Sequence, residues 1–286
     1  MGERDVEPPG YSARWFLVTH VSGEDIKRSP AASFSSGAFI GTLGGLIGLG
    51  GAEFRLPLLI GWFRFAALEA VILNKTMSLL VVASSLLFRA RSIPPIAIAE
   101  HWTVIANLLG GSLLGAWLAA GWATRMRSAI LYRVMAVLLV VIALALLFSH
   151  EAAAGRGPLL QGPELVIAGL VAGFGVGVVA SLMGVAGGEL LIPTLILLFG
   201  LDIKIAGSLS LAVSLPTMLM GFVRYSRDRS FGVIGRNRRF VLFMAAGSLA
   251  GAIAGGLLLG VVPSSVLLPT LAAILLVSAI KVWRHA

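Results

Sequence analysis

The chain has 286 residues, 58% of them hydrophobic and 12% charged, with a net charge of +9 and no cysteine. That balance excludes a water-soluble globular domain, and the lack of cysteine excludes disulfides and thiolate metal sites. The basic residues are spread over short segments between apolar runs, as in the cytoplasmic loops of membrane proteins, so the charge points to topology rather than to nucleic acid.

Residues 1–28 form a polar N-terminal segment whose one apolar patch, 15–18, is too short for the core of a cleaved signal, so the first membrane segment is expected to be permanent. Apolar stretches of spanning length follow at 31–63, 66–88, 104–122 and 129–148. After a polar linker at 149–164, a second set occupies 165–199, 205–223, 240–259 and 266–282. Runs such as 134–148 are apolar on every face, unlike the alternation of a membrane β-barrel. The expected fold is an all-α polytopic integral membrane protein.

Shifting the chain by 136 positions superimposes the two sets without a gap. Gly48, Gly51, Glu53 and Pro57 fall on Gly184, Gly187, Glu189 and Pro193; Gly111, Ser112, Leu113, Gly115 and Ala116 fall on Gly247, Ser248, Leu249, Gly251 and Ala252. Shared apolar residues are expected of any two membrane helices, whereas Gly, Glu and Pro at one fixed offset are not. The expected architecture is two homologous repeats, 29–148 and 165–284, of about four spans each.

Each repeat opens with a stretch that as one helix would be about 50 Å long, against a hydrocarbon core of about 30 Å. It has to tilt, break or fold back. Gly44-Gly45-Leu46-Ile47-Gly48-Leu49-Gly50-Gly51 and Gly184-Val185-Ala186-Gly187-Gly188 mark the breaks. Unwound backbone is tolerated in a membrane only where protein or a water-filled cavity surrounds it, and paired breaks in two repeats point to a transporter's midplane site. The half-helices starting near Glu53 and Glu189 present N–H groups and a positive dipole end, a cradle for an anion. The glycines at 111, 115, 247, 251 and 255, at four-residue spacing, read instead as packing positions.

At these residues the chain resembles the sulfite exporter TauE/SafE family, also described as toluene sulfonate uptake permeases. The resemblance rests on Gly48-Leu49-Gly50-Gly51-Ala52-Glu53-Phe54-Arg55-Leu56-Pro57, on Gly184-Val185-Ala186-Gly187-Gly188-Glu189-Leu190-Leu191-Ile192-Pro193, and on the Asn74-Lys75 pair. It runs from about Ser33 onward. It implies a permease for sulfur-containing or related organic anions, with about eight helices from a four-helix duplication. Leu209-Ser210-Leu211 stands where the first repeat has Leu73-Asn74-Lys75, so a site between the halves is asymmetric.

An ionisable group inside a span is a functional candidate. Lys75 neutralises a bound anion or pairs with Glu53 or Glu69. Glu53 and Glu189 sit where a helix dipole favours a carboxylate, and they either serve that role alone or carry the protons that couple transport. Arg55 either snorkels or pairs with Glu53. Gly50, Gly51, Ala52, Gly187 and Gly188 supply backbone to the substrate site. Asn74, Thr76, Ser78, Ser208, Ser210 and Ser214 supply hydrogen-bonding side chains, which equally satisfy neighbouring carbonyls.

The expected function is secondary transport of a small sulfur-containing anion such as sulfite or a sulfonate, with protons as coupling ion. The alternatives are an anion channel and an intramembrane enzyme. The histidines at 20, 101, 150 and 285 lie in loops or termini, and no metalloprotease spacing occurs, so no cofactor, metal or catalytic residue is expected. Arg224, Arg227, Arg229, Arg236, Arg238 and Arg239 place their loop in the cytoplasm, and the C-terminus follows it inside an inner membrane. If each broken segment crosses once the repeats are parallel, and if it crosses twice they are inverted; charge counting leaves both open. Membrane lipid is the surrounding partner, and a homodimer is the assembly considered.

Overall fold

The computed structural model describes residues 29–47, 51–89, 100–152, 160–201, 203–257 and 264–285. Eleven α-helices are found among them, with no strand among these residues. The first half holds α1 (Pro30–Ile47), α2 (Ala52–Gly61), α3 (Ala67–Arg89), α4 (Trp102–Ala123) and α5 (Ser128–Ala152). The second holds α6 (Gly162–Met183), α7 (Gly188–Phe199), α8 (Ile203–Tyr225), α9 (Val233–Arg236), α10 (Arg238–Leu257) and α11 (Ser264–Trp283). A 3-10 turn, Arg229–Gly232, precedes α9. Five helices (α3, α4, α6, α8 and α10) carry windows long and apolar enough to cross a membrane. Large apolar side chains such as Leu118, Trp122, Val171 and Val277 remain more than half exposed on the outside of the bundle, where lipid rather than water is the natural solvent.

Helix starts recur at the offset of 136: Ala52 and Gly188, Ala67 and Ile203, Trp102 and Arg238, Ser128 and Ser264. Contacts are exchanged in the same way. α1 packs on α10 and α6 on α4, while α3 meets α8 and α5 meets α11. The closest of these contacts are built on glycine. A Cβ at Gly37, Gly41 or Gly45 would overlap the backbone of Met244, Ser248 or Ala252, and one at Gly173 or Gly177 would overlap the carbonyl of Leu108 or Ser112. These pairs also show that α1 runs parallel to α10, and α6 parallel to α4. Gly111, Gly115, Gly247 and Gly251 serve the same contacts from the other side, as their four-residue spacing predicts.

The broken segments turn back on themselves. Gly51 lies against Ile40 and Gly44, and a cleft of about 410 Å³ brings Leu58 and Trp62 beside Ser35 and Phe39, so α2 returns along α1. In the second half Gly187 lies against Val176, and the Phe199 ring reaches Gly169, so α7 returns along α6. Each broken segment is thus a long helix followed by a half-helix that begins at mid-depth and leaves on the side of entry.

The remaining directions follow from contacts at the ends. Phe63 stacks edge-on to Phe240 at 4.8 Å, and Arg236 bonds Glu69 at 2.8 Å, joining the α2–α3 turn to the start of α10. The Arg224 guanidinium lies 5.0 Å over the Trp117 ring near the end of α4, and Tyr132 at the start of α5 faces His285 after α11. One face therefore holds the start of α1 and the end of α11, while α6 starts from the opposite face. The second set runs upside down relative to the first. That chooses the inverted arrangement, and it places Arg64, Arg125, Arg127, the 224–239 segment and Arg284 together; α3 ends, at Arg89, on the other face. Arg91 lies outside the described residues.

Candidate functional site

Three left-handed glycines make the breaks: Gly51 at φ 72°, Gly184 at φ 68° and Gly187 at φ 79°. A side chain in this region costs energy that glycine does not. Gly51 and Gly187 cap α2 and α7, and neither helix has a side-chain cap, so their first-turn N–H groups lack intrahelical partners. Pro57 and Pro193, four residues after Glu53 and Glu189, each remove one helix hydrogen bond to the glutamate's carbonyl.

Glu53 and Glu189 stand at the two half-helix starts and are buried. The two carboxyl groups lie within electrostatic range of each other. Among the described residues, none of the four buried carboxyl oxygens has a hydrogen-bond partner.

Asn74 of α3 joins the two breaks. Its amide donates to Ala52 O at 3.0 Å, in the first turn of α2, and to Met183 O at 3.0 Å, in the last turn of α6. Its Oδ1 accepts from Arg55 Nη1 at 3.4 Å. Arg55 is fully buried; it also donates to Ser78 Oγ at 3.3 Å and, across the bundle, to Ser248 Oγ of α10 at 3.2 Å. It neither snorkels nor hydrogen-bonds Glu53. Lys75, one residue beyond Asn74 and so about 100° around α3, points the other way. Its Nζ donates to Ala180 O at 3.1 Å and lies beside Gly221 near the Ser181 hydroxyl. Neither pairing considered for it is formed, since Glu69 is held by Arg236.

One buried cation, Arg55, and two buried carboxyls thus gather where two half-helices begin at mid-depth inside an all-helical membrane bundle, with Lys75 buried on another face of α3. The model of the family described as sulfite exporter TauE/SafE matches residues 32–282, nearly the whole chain. The chain belongs to the TauE/SafE family. No curated protein and no solved structure matches it. TauE/SafE proteins are sulfite and sulfonate transporters, and this chain is a multi-pass membrane transporter, not an enzyme.

Within this TauE/SafE chain the other expected residues fall into two groups. Gly51, Ala52, Ser78, Gly187 and Gly188 lie at the breaks or on Arg55; Gly50 lies outside the described residues. Thr76 bonds back to Ile72 O at 2.8 Å and Ser210 to Gly207 O at 2.9 Å, each within its own helix, while Ser208 and Ser214 are buried in α8. The sequence pointed to Ser248 only as part of the match between the two halves, not as a site residue. Its one signal was its place in the Gly-Ser-Leu motif that recurs from Gly111 and Gly247.

Proposed function

We propose that the chain is a secondary carrier for a small sulfur oxyanion such as sulfite or a sulfonate, coupled to protons through Glu53 and Glu189. The supporting observation is the opposition of two half-helix starts that carry the carboxyl pair, with Arg55 two residues after Glu53 and all three side chains buried. An occluded site is what a carrier that alternates its access requires, and it disfavours a continuous channel. A carboxyl pair without donors is a proton acceptor placed where the anion's charge needs offsetting. Gly51, Ala52, Gly187 and Gly188 are the backbone of the cradle, and Lys75, Asn74 and Ser78 its side-chain wall; Thr76, Ser208, Ser210 and Ser214 complete the reading as hydroxyl donors in conformations that open α3 and α8.

In proteoliposomes, uptake of radiolabelled sulfite is expected to be saturable and to rise with an imposed pH gradient. The Glu53→Gln, Glu189→Gln double variant is expected to lose the gradient response while keeping downhill exchange. An unchanged response in the double variant would rule out this coupling.

We infer also that residues 29–148 and 165–284 arose by duplication, joined by 149–164, and that the arginine-rich face, with the C-terminus, lies in the cytoplasm of a cell whose inner membrane holds the protein. The chain has no cysteine, so a single one reports sidedness. Ser226→Cys is expected to react with an impermeant maleimide only from the cytoplasmic side, and Glu100→Cys only from the opposite side. The reverse pattern would invert the topology.

A further inference from the structure

We propose that Arg55 is the clamp for the oxyanion head of the transported solute, and that its geometry selects a head with two or more oxygens on one centre over a spherical anion. The inference rests on the carrier reading above and names the residue and the ligand geometry at that site.

The guanidinium has two differently engaged edges. Nη1 is held by Asn74 Oδ1 and Ser78 Oγ, which fixes the plane of the group. On the other edge, among the described residues, Nη2 reaches only the Ser248 hydroxyl, and Nε, fully buried, has no partner. The Nε–Nη2 edge is the fork that Arg lays onto two oxygens of a carboxylate, phosphate or sulfonate. All three existing bonds go to neutral oxygens and measure 3.2–3.4 Å, whereas charge-assisted bonds are typically about 2.7–2.9 Å. A buried charge held so loosely is costly unless an anion completes it. Glu53, two residues away on the same helix, lies within Coulombic range yet makes no hydrogen bond to it.

The second half lacks this device. Leu191 stands at the position of Arg55, buried among Leu195, Leu209 and Val213. Ser112, at the position of Ser248, is satisfied by Thr217 at 2.7 Å. Among the described residues this is the one buried fork of its kind, so one oxyanion head binds per protein, on the α1–α10 side of the carboxyl pair.

The test is sulfite transport in proteoliposomes by the wild-type protein and the Arg55→Gln, Arg55→Lys and Ser248→Ala variants, with methanesulfonate and chloride as competitors. Losing a charged, forked contact is expected to raise KM about 100-fold in Arg55→Gln. Arg55→Lys keeps the charge without the fork and is expected to recover only part of this; Ser248→Ala, which alters no charge, is expected to raise KM several-fold. Methanesulfonate is expected to compete and chloride not to. If the Arg55 variants do not assemble, Ser248→Ala and the competitor series still decide. Wild-type transport with an unchanged KM in Arg55→Gln or in Ser248→Ala, or equal competition by chloride, overturns the clamp and leaves the carrier reading standing. No sulfite transport by the wild type overturns both.

Discussion

Gly177→Leu is expected to abolish the folded protein, whereas Gly175→Leu, two residues away on the same helix, is expected to be tolerated. At Gly177 the α4 backbone passes so close that even a Cβ overlaps the Ser112 carbonyl; at Gly175 nothing lies within 4 Å. Ordinary overpacking costs about 1–3 kcal/mol because side chains yield. Here the obstacle is main chain. α4 and α6 would have to part along their length, giving up the packing that holds membrane helices together in the absence of a hydrophobic drive between them. Loss on this scale is expected to exceed about 4 kcal/mol. The measurement is yield and thermal unfolding of the two variants in detergent. Equal stability of both would mean that the helices do not pack on these glycines. The same comparison separates packing from helix propensity, since both substitutions replace glycine by the same helix former.

The second large effect is expected at Asn74. Asn74→Leu removes both donors that tie α2 to α6 and leaves Ala52 O and Met183 O without them, in a place lipid and water cannot reach. A buried orphan carbonyl costs about 1–3 kcal/mol in water-soluble proteins and less in membranes, where alternatives are found, so the expected loss is about 2–4 kcal/mol, with transport abolished. Asn74→Asp is the sharper probe. It keeps the acceptor and gives Arg55 a charged partner, but it supplies no N–H to either carbonyl. If the tie between the breaks matters, Asp is destabilising as well, and it also blocks anion binding by pairing with Arg55. A thermal midpoint for both variants equal to that of the native protein would show that Asn74 does not hold the breaks together.

Both predictions bear on features that differ in how legible they are. The spans were readable because apolar length is a local property. The stretches at 66–88, 104–122 and 205–223 end within two residues of Ala67–Arg89, Trp102–Ala123 and Ile203–Tyr225. The breaks were readable because glycine and proline act on their own backbone: Gly51, Gly184 and Gly187 take left-handed angles where the Gly-rich motifs stand. The packing glycines were readable from their spacing of four.

What the residues alone left open depends on direction and rotation between elements. Whether α2 continues across or turns back is decided by the contact of Gly51 with Ile40 and Gly44, and with it the inversion of the two halves. Loop charges did not carry that information, because Arg89 and Arg125 fall on opposite faces in either arrangement. Arg55 was expected to snorkel or to pair with Glu53, two residues away; its actual partners, Asn74, Ser78 and Ser248, come from two other helices. Lys75 meets a carbonyl of α6 in place of a carboxylate, because the step from Asn74 turns it to another face. The sequence by itself therefore determined the membrane spans, the paired breaks and which charged residues lie in them, all set by local polarity and backbone preference. The tertiary structure alone decided which way each half-helix points and which buried charge faces which partner, because a charge in a membrane is defined by neighbours far away along the chain.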